Sequence, residues 1–162
     1  MHCVRDENLI PVIIFNALDE RPLPIYGEGS NVRDWLYVED HADALLTVLE
    51  KGALGHSYSI GGENEPTILE LVKMLCNILD RQRPRANGSY ASLIKFVTDR
   101  PGHDARYAID SKRICNELGW RPSVTNEVGL ERTVGWYLNN ETWWRPLLER
   151  SGVGQRLGIV NN

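Results

Sequence analysis

The stretch NVRDWLYVEDHADALLTVLEKG, residues 31–52, is the most informative part of the chain, because the spacing of its apolar residues changes part-way along. Residues 32–38 alternate between apolar and polar and are rich in β-branched and aromatic types, which predicts a strand. Beyond them apolar residues recur every three or four positions and predict a helix ended by Gly52: Ala42, Leu45, Leu46 and Leu49. The strand and helix together predict the α/β class, with Arg33 near the strand's start.

The first apolar segment of the chain is Leu9–Leu18, LIPVIIFNAL. It predicts a helix, because Pro11 falls in the first turn, where a proline is tolerated. Such a helix is apolar nearly all the way round and must be covered on several sides. The preceding residues, MHCVRDEN, offer no apolar cover, so we expect part of the covering surface to lie outside this chain.

Strand and helix signals continue to alternate along the rest of the chain. Thr67 and Glu70 have the spacing of a capping box, which predicts the start of a helix. Its predicted apolar face consists of Ile68, Leu71, Val72, Leu75 and Leu79. A short helix capped by Asp110 or Ser111 should end at Gly119. The remaining predictions are a turn into a short strand at 21–27, short strands at 57–60 and 94–97, loops at 81–90 and 99–110, and a helix at 126–138, followed by Trp143 and Trp144.

Composition excludes several classes of partner. The chain has 162 residues, of which 42% are hydrophobic and 25% charged, and a net charge of -4 without a basic run, so we expect no nucleic-acid partner. No apolar run approaches the ~20 residues of a membrane span, and no signal-peptide pattern follows Met1, so we expect a cytoplasmic protein without a membrane partner. Cys3, Cys76 and Cys115 are far apart and predict reduced thiols.

Two local patterns resemble ligand sites, and for both we favour a structural explanation. Gly27 and Gly29 suggest a dinucleotide loop, but Val32 stands at the third glycine position and a predicted strand follows, so we interpret the run as a turn. The second pattern is an acidic cluster that fits the first turn of a helix better than a metal site: Glu39, Asp40, His41 and Asp43.

The loop DRPGHD, residues 99–104, carries Arg100 and His103 on either side of a Pro-Gly turn. Together with Arg33 they would form an anion site, because guanidinium groups bind phosphate oxygens in a bidentate manner. The alternative is that both arginines pair with neighbouring acids: Arg33 with Asp34 or Asp40, and Arg100 with Asp99 or Asp104. Spacing alone leaves both interpretations open.

Five motifs in this order and at these separations resemble the C-terminal half of dTDP-glucose 4,6-dehydratase. They are RDWLYVEDHADAL (33–45), YSIGGENE (58–65), FVTDRPGHDARYAID (96–110), ELGW (117–120) and TVGWYLNNETWW (133–144). That family belongs to the extended short-chain dehydrogenase/reductase group. The resemblance implies an α/β fold that forms the C-terminal substrate-binding portion and lacks most of the Rossmann sheet. We expect an unmatched or disordered start at 1–8, a nucleotide-sugar-binding domain at 9–150 and a tail at 151–162.

The resemblance also implies which residues contact the nucleotide sugar, with the diphosphate as the target of the arginines. The expected site is Asn8, Leu9, Pro24, Ile25, Tyr26, Arg33, Asp99, Arg100, Pro101, Gly102 and His103.

Four positions depart from the family pattern. Asn8 stands where the family usually has lysine, Ile68 where it has asparagine, Ser59 where it has asparagine, and Ala105 where it has arginine. Each lost contact should weaken binding by about 1 kcal/mol, or roughly fivefold.

The NAD loop and catalytic residues of the family's other half are not found in this sequence, and no tyrosine is followed by lysine four residues on. The family is an NAD-dependent lyase of deoxysugar and polysaccharide synthesis, and we expect this chain to bind dTDP-glucose, to hold no cofactor itself and to be inactive alone. One alternative is an interaction module that complements a separately encoded N-terminal half. Others are a non-functional remnant that self-associates through exposed apolar helices and, less favoured, part of a related nucleotide-sugar epimerase or decarboxylase.

Overall fold

The computed structural model describes residues 8–99 and 101–151. Its helices are α1 Leu9–Leu18, α2 Val38–Lys51, α3 Ile68–Gln82, α4 Lys112–Leu118, α5 Asn126–Asn139 and α6 Glu141–Ser151, with a short 3-10 helix at Tyr90–Leu93. Its strands are β1 Leu23–Tyr26, β2 Val32–Arg33, β3 Ile94–Val97 and β4 Arg106–Tyr107. Apart from residues 8 and 151, the predicted start at 1–8 and tail at 151–162 lie outside the described residues.

The strands form two parallel pairs. β1 pairs with β3, with Leu23 opposite Ile94, and β2 pairs with β4, with Val32 opposite Arg106. Parallel strands need helices on their faces, because their crossover connections are helical. The predicted α/β class is confirmed. In the described part of the chain, the strands form only these two short two-stranded sheets.

The larger core forms around α1 and α3. The predicted α3 face is buried at Leu71, Val72, Leu75 and Leu79, all 0% exposed, whereas Ile68 is partly exposed at the helix start. The predicted bounds of α1 are confirmed. Its cover comes largely from this chain: α1 packs on α3, and Phe15 stacks on Trp144 of α6 at 4.5 Å between ring centroids.

A smaller core lies between α2 and α4, where Ala44, Ile114, Cys115 and Trp120 are buried. The predicted apolar face of α2 does not join it. Instead, Leu45, Leu46 and Leu49 are 53%, 58% and 82% exposed. The spacing predicted which residues share a face, but it did not identify the face that packs on the protein.

Two predicted helix ends are confirmed. The side chain of Thr67 accepts from the backbone of Glu70, and the Glu70 carboxylate accepts from the backbone of Thr67, which completes the capping box. Helix α4 ends at Gly119, which has a φ of +72°. At its start the Asp110 carboxylate accepts from the backbone N–H of Lys112 at 2.9 Å.

Two strand predictions were wrong, and two elements were missed: strand β4, which lies inside the predicted loop at 99–110, and one helix. The strand predicted at 32–38 extends only over Val32–Arg33, because its next residues turn into α2. Residues 57–60 form no strand, since none of the described residues pair with them in a ladder. Helix α6 was not predicted, because Pro146 lies inside it and a proline removes a backbone donor.

Candidate functional site

A cavity of about 660 Å³ lies between α1, the ends of β1 and β2, the start of α3, and α5. Its volume is in the range of small-molecule sites. The structure brings together on its wall six residues expected from the sequence: Asn8, Leu9, Pro24, Tyr26, Arg33 and His103. These residues come from four separate segments, so the shared wall is a result of the tertiary fold.

Arg33 supplies positive charge to this wall. Its Nη1 donates to the carbonyl of Val32 at 2.7 Å, and its Nη2 donates to the carbonyl of Asp104 at 3.0 Å. Among residues 8–99 and 101–151 no carboxylate forms an ion pair with Arg33. Two backbone carbonyls therefore hold the guanidinium without neutralising its charge, which leaves that charge for an anionic ligand.

The acids proposed as alternative partners of Arg33 are engaged elsewhere. The carboxylate of Asp34 accepts from the backbone N–H groups of Gly62 and Asn64 at 2.9 and 3.2 Å. Asp40, which is 5% exposed, accepts from the hydroxyl of Ser123 and the N–H of Val124. The structure therefore decides between the two interpretations of Arg33 in favour of the available cation.

His103 is largely buried on the cavity wall and is oriented by Asp99. Its Nδ1 lies 2.7 Å from Asp99 Oδ1, and the side chains are 10% and 42% exposed. Because a carboxylate only accepts, Nδ1 carries the proton in this contact, and Nε2 remains available for a ligand. The ring of Tyr26 lies edge-on to that of His103, with 6.3 Å between centroids.

The other predicted site residues that the structure describes do not line the wall. Ile25 is fully buried in the larger core, because alternate residues of a strand point to opposite sides and its neighbours Pro24 and Tyr26 face the cavity. Pro101 and Gly102 are exposed beside the cavity rather than lining it. Asp99 contributes through His103, and Arg100 lies outside the described residues.

Several further wall residues were not expected from the sequence. Those with polar groups include Asn31, Trp35, Asn64, Asn126 and Thr133. The indole N–H of Trp35 is buried and has no acceptor among the described residues, so it is a donor that a ligand oxygen could satisfy. Strand alternation could have indicated Asn31, which is two residues from Arg33. The others come from α5 and from loops whose position depends on long-range packing.

The loop that carries Asn64 is held in place by the residue after Arg33. The loop donates two backbone N–H bonds to the Asp34 carboxylate, and it is closed by a bond from Asn64 Nδ2 to the Gly62 carbonyl at 2.8 Å. A Cβ at Gly62 would lie 2.0 Å from the carbonyl oxygen of Trp35, so only glycine fits there. The RDW and GGEN motifs are therefore parts of one local structure.

The described residues do not form a dinucleotide-binding loop or a metal site. Strand β2, rather than a helix, follows Gly27 and Gly29, and a Cβ at Gly29 would lie 2.7 Å from the side chain of Ile25, so this glycine serves close packing. No group of three or more metal-binding side chains was found in the described ranges. None of the described helices is long and apolar enough to cross a membrane.

A family model described as GDP-mannose 4,6 dehydratase matches residues 4–133. The chain belongs to this dehydratase family. A probable dTDP-glucose 4,6-dehydratase of Sinorhizobium fredii is 50% identical over 154 residues, which are 95% of this chain and 44% of the relative. The chain thus spans less than half the length of the relatives it matches.

Solved structures of dehydratases have the same fold. The dTDP-glucose 4,6-dehydratase of Bacillus anthracis in complex with NAD matches with a TM-score of 0.76 and 46% identity, over 88% of this chain and 43% of that one. DesIV, a dTDP-glucose 4,6-dehydratase from Streptomyces venezuelae with NAD and the ligand TYD bound, matches with a TM-score of 0.78 and 43% identity, over 88% and 42%. The resemblance to dTDP-glucose 4,6-dehydratases predicted from the sequence motifs is confirmed.

Proposed function

We propose that this chain binds dTDP-glucose in the described cavity and forms the nucleotide-sugar-binding part of a dTDP-glucose 4,6-dehydratase. The observation that carries the proposal is the guanidinium of Arg33, which lies on the cavity wall and has no acidic partner among the described residues. Family membership and a relative that binds TYD support the choice of ligand.

Several of the expected site residues have roles that their chemistry suits. Arg33 binds the diphosphate, joined by Arg100 from the adjoining loop, because guanidinium groups form strong charge-assisted bonds to phosphate oxygens. Pro24 and Tyr26 lie against the nucleoside, and His103 offers Nε2 to a polar group of the ligand. Asp99 fixes the orientation of the His103 ring.

We further propose that the chain does not bind NAD and does not turn over the substrate by itself. The family reaction oxidises the sugar, eliminates water and reduces the product, and this cycle requires a nicotinamide to accept and return the hydride. The related structures carry NAD. In this sequence no tyrosine has a lysine four residues on, and the Gly27–Gly29 turn leads into a strand.

Titration calorimetry of the purified chain with dTDP-glucose, dTDP, thymidine and NAD tests both proposals. We expect binding of dTDP-glucose and dTDP without binding of NAD. Arg33→Lys should weaken dTDP affinity about tenfold and thymidine affinity little, because lysine cannot make the bidentate phosphate contact. Arg81→Lys is the matched control, since Arg81 pairs with Glu131 on the surface and does not line the cavity.

Equal losses of dTDP affinity in both variants, or failure of the parent chain to bind dTDP-glucose, would contradict the binding proposal. NAD binding with turnover would contradict the proposed inactivity.

The exposed leucines of α2 favour a second candidate function, an interaction module. Leu45, Leu46 and Leu49 lie side by side on one helix face, and burial of each would contribute about 1.5 to 3 kcal/mol. The relatives contain further residues outside the matched region. We propose that a separate polypeptide, which corresponds to this unmatched part of the relatives and binds NAD, covers the α2 face and restores an enzyme.

Co-expression with the N-terminal half of a related dehydratase tests this candidate. We expect the two chains to co-purify and to turn over dTDP-glucose, and Leu45→Gln with Leu49→Gln to abolish both. Leu54→Gln is the control, because Leu54 is fully exposed outside α2. If the chain instead forms oligomers alone and the double substitution makes it monomeric, the face mediates self-association, as expected for a remnant.

A further inference from the structure

Asn31 is a buried carboxamide at the point where three segments of the cavity wall meet. It lies immediately before β2 and is 8% exposed, and asparagine is seldom so buried unless its side chain is bonded. It bonds to the loop that carries His103 and to the first turn of α3. None of the family motifs quoted above includes it.

The side chains of Asn31 and Arg33 donate to the same carbonyl oxygen. Asn31 Nδ2 donates to the carbonyl of Asp104 at 3.0 Å, and Arg33 Nη2 donates to the same oxygen at the same distance. A carbonyl oxygen has two lone pairs, so both donors are accommodated. Because Asp104 follows His103, this shared oxygen sets the spacing between the guanidinium and the imidazole.

The second contact joins Asn31 to α3. The backbone carbonyl of Asn31 accepts from the N–H of Ile68 at 2.9 Å, which satisfies one of the free donors at the helix start. Ile68 itself lines the cavity. A change in the position of residue 31 would therefore move the α3 end of the wall as well as the loop.

We propose that Asn31 is the positioning residue that holds the Arg33 guanidinium, and with it His103, in the geometry that receives a diphosphate. The inference rests on the proposed binding of a dTDP-sugar and adds the residue that organises that site. Asn31 acts through Arg33 and the loop, so its effect on a diphosphate ligand depends on the presence of Arg33.

A double-mutant cycle on dTDP binding tests this dependence, because a residue that acts through another shows non-additive effects. Asn31→Ala should weaken dTDP binding about tenfold in the parent chain and no more than about twofold in an Arg33→Ala background. Thymidine affinity should change little in either background. Asn87→Ala is the matched control, since Asn87 is exposed and does not line the cavity. An equal loss in both backgrounds, or no loss at all, would overturn the proposal.

If Asn31→Ala does not fold, Asn31→Asp provides a second test, because aspartate has nearly the same shape as asparagine. It removes the donor to Asp104 and adds a carboxylate beside Arg33, so dTDP affinity should fall further than in Asn31→Ala. Unchanged dTDP affinity in Asn31→Asp would also overturn the proposal.

Hydrogen exchange separates failure of this inference from failure of the proposed function. Residues 103–107 should exchange faster in Asn31→Ala than in the parent chain, whatever ligand the cavity binds, because the loop loses its bond to residue 31. Failure of the parent chain to bind dTDP would overturn the proposed function. Unchanged exchange of residues 103–107 in Asn31→Ala would overturn the positioning role of Asn31.

Discussion

At the scale of single residues, the cavity depends on which polar groups are already engaged. The carboxylates of Asp34 and Asp40 accept bonds from backbone and hydroxyl donors and form no ion pair with Arg33, so Arg33 remains available although both acids are close in sequence. Buried acceptors of this kind are filled by fixed partners because an unsatisfied group costs about 1 to 3 kcal/mol. Whether Arg33 is available to a ligand therefore depends on the bonds that Asp34 and Asp40 make to other residues.

Substitution of Ile68 by asparagine should increase the affinity of the chain for dTDP-glucose. Ile68 lines the cavity where the family pattern has asparagine, so Ile68→Asn should raise affinity for dTDP-glucose about fivefold by adding an amide donor. Titration calorimetry would measure the change. Ile68→Ala, which removes the side chain without adding an amide, is the control, and equal affinity of the two variants would contradict the prediction.

Asp40 should make stability depend on pH. Burial alone would raise the pKa of its carboxyl, but hydrogen bonds from Ser123 and Val124 and the charge of Arg132 outweigh burial, so the pKa lies below its ordinary value of 3.8. The charged form is therefore favoured by folding, and its stabilisation is present above pH 3.8 and lost as the pH falls through the lowered pKa. Asp40→Asn should reduce the free energy of unfolding by about 1 to 3 kcal/mol at pH 7.

Urea unfolding at several pH values checks this expectation. The difference between parent and Asp40→Asn should narrow once the pH falls below the ordinary carboxyl value. A difference that stays constant down to pH 2.5 would show that the charge of Asp40 does not contribute.

At the scale of elements, α6 completes the cover of α1. Trp144 is 1% exposed, stacks on Phe15 and donates from Nε1 to the carbonyl of Tyr137 at 2.7 Å. Arg145 adds bonds to Glu141 and Asp19, which ties α6 to the end of α1. The apolar α1 can thus be accommodated largely within one chain.

Trp144→Ala should lower the free energy of unfolding by about 3 to 5 kcal/mol, as is typical of a large aromatic residue removed from a core. Trp143→Ala is a matched control in the same helix, because Trp143 is 50% exposed, and it should cost about 1 kcal/mol or less. Urea denaturation of both variants provides the comparison. Equal costs would mean that the packing of Trp144 on α1 contributes little.

At the scale of the whole molecule, the described residues form a larger and a smaller core, and each contains one buried free cysteine. Cys76 of α3 belongs to the larger core and Cys115 of α4 to the smaller one. The smaller core lies beside the exposed face of α2 and has fewer buried side chains among the described residues. Regions with few buried apolar contacts open at lower free energy.

Thiol labelling of the native protein should therefore modify Cys115 before Cys76. Burial, with the charge of Asp80, raises the pKa of Cys76 to about 12, which further slows its reaction because the thiolate is the reactive form. Peptide mass spectrometry in a Cys3→Ser background would follow each site. The two cysteines should react at similar rates in concentrated denaturant, and earlier labelling of Cys76 in the native state would contradict the order of opening.

Local spacing, caps and the quoted motifs were enough to predict the α/β class, the bounds of α1, the capping box of α3 and the resemblance to dehydratases, because these features depend on residues that are near each other in the chain. The sequence also identified six wall residues of the cavity. Three features became visible only in the folded chain: Arg33 is not paired with Asp34 or Asp40, Ile25 faces the core, and Asn31 bonds to Asp104. These outcomes depend on contacts between residues far apart in the chain, such as residues 31 and 104, and no local pattern specifies such contacts.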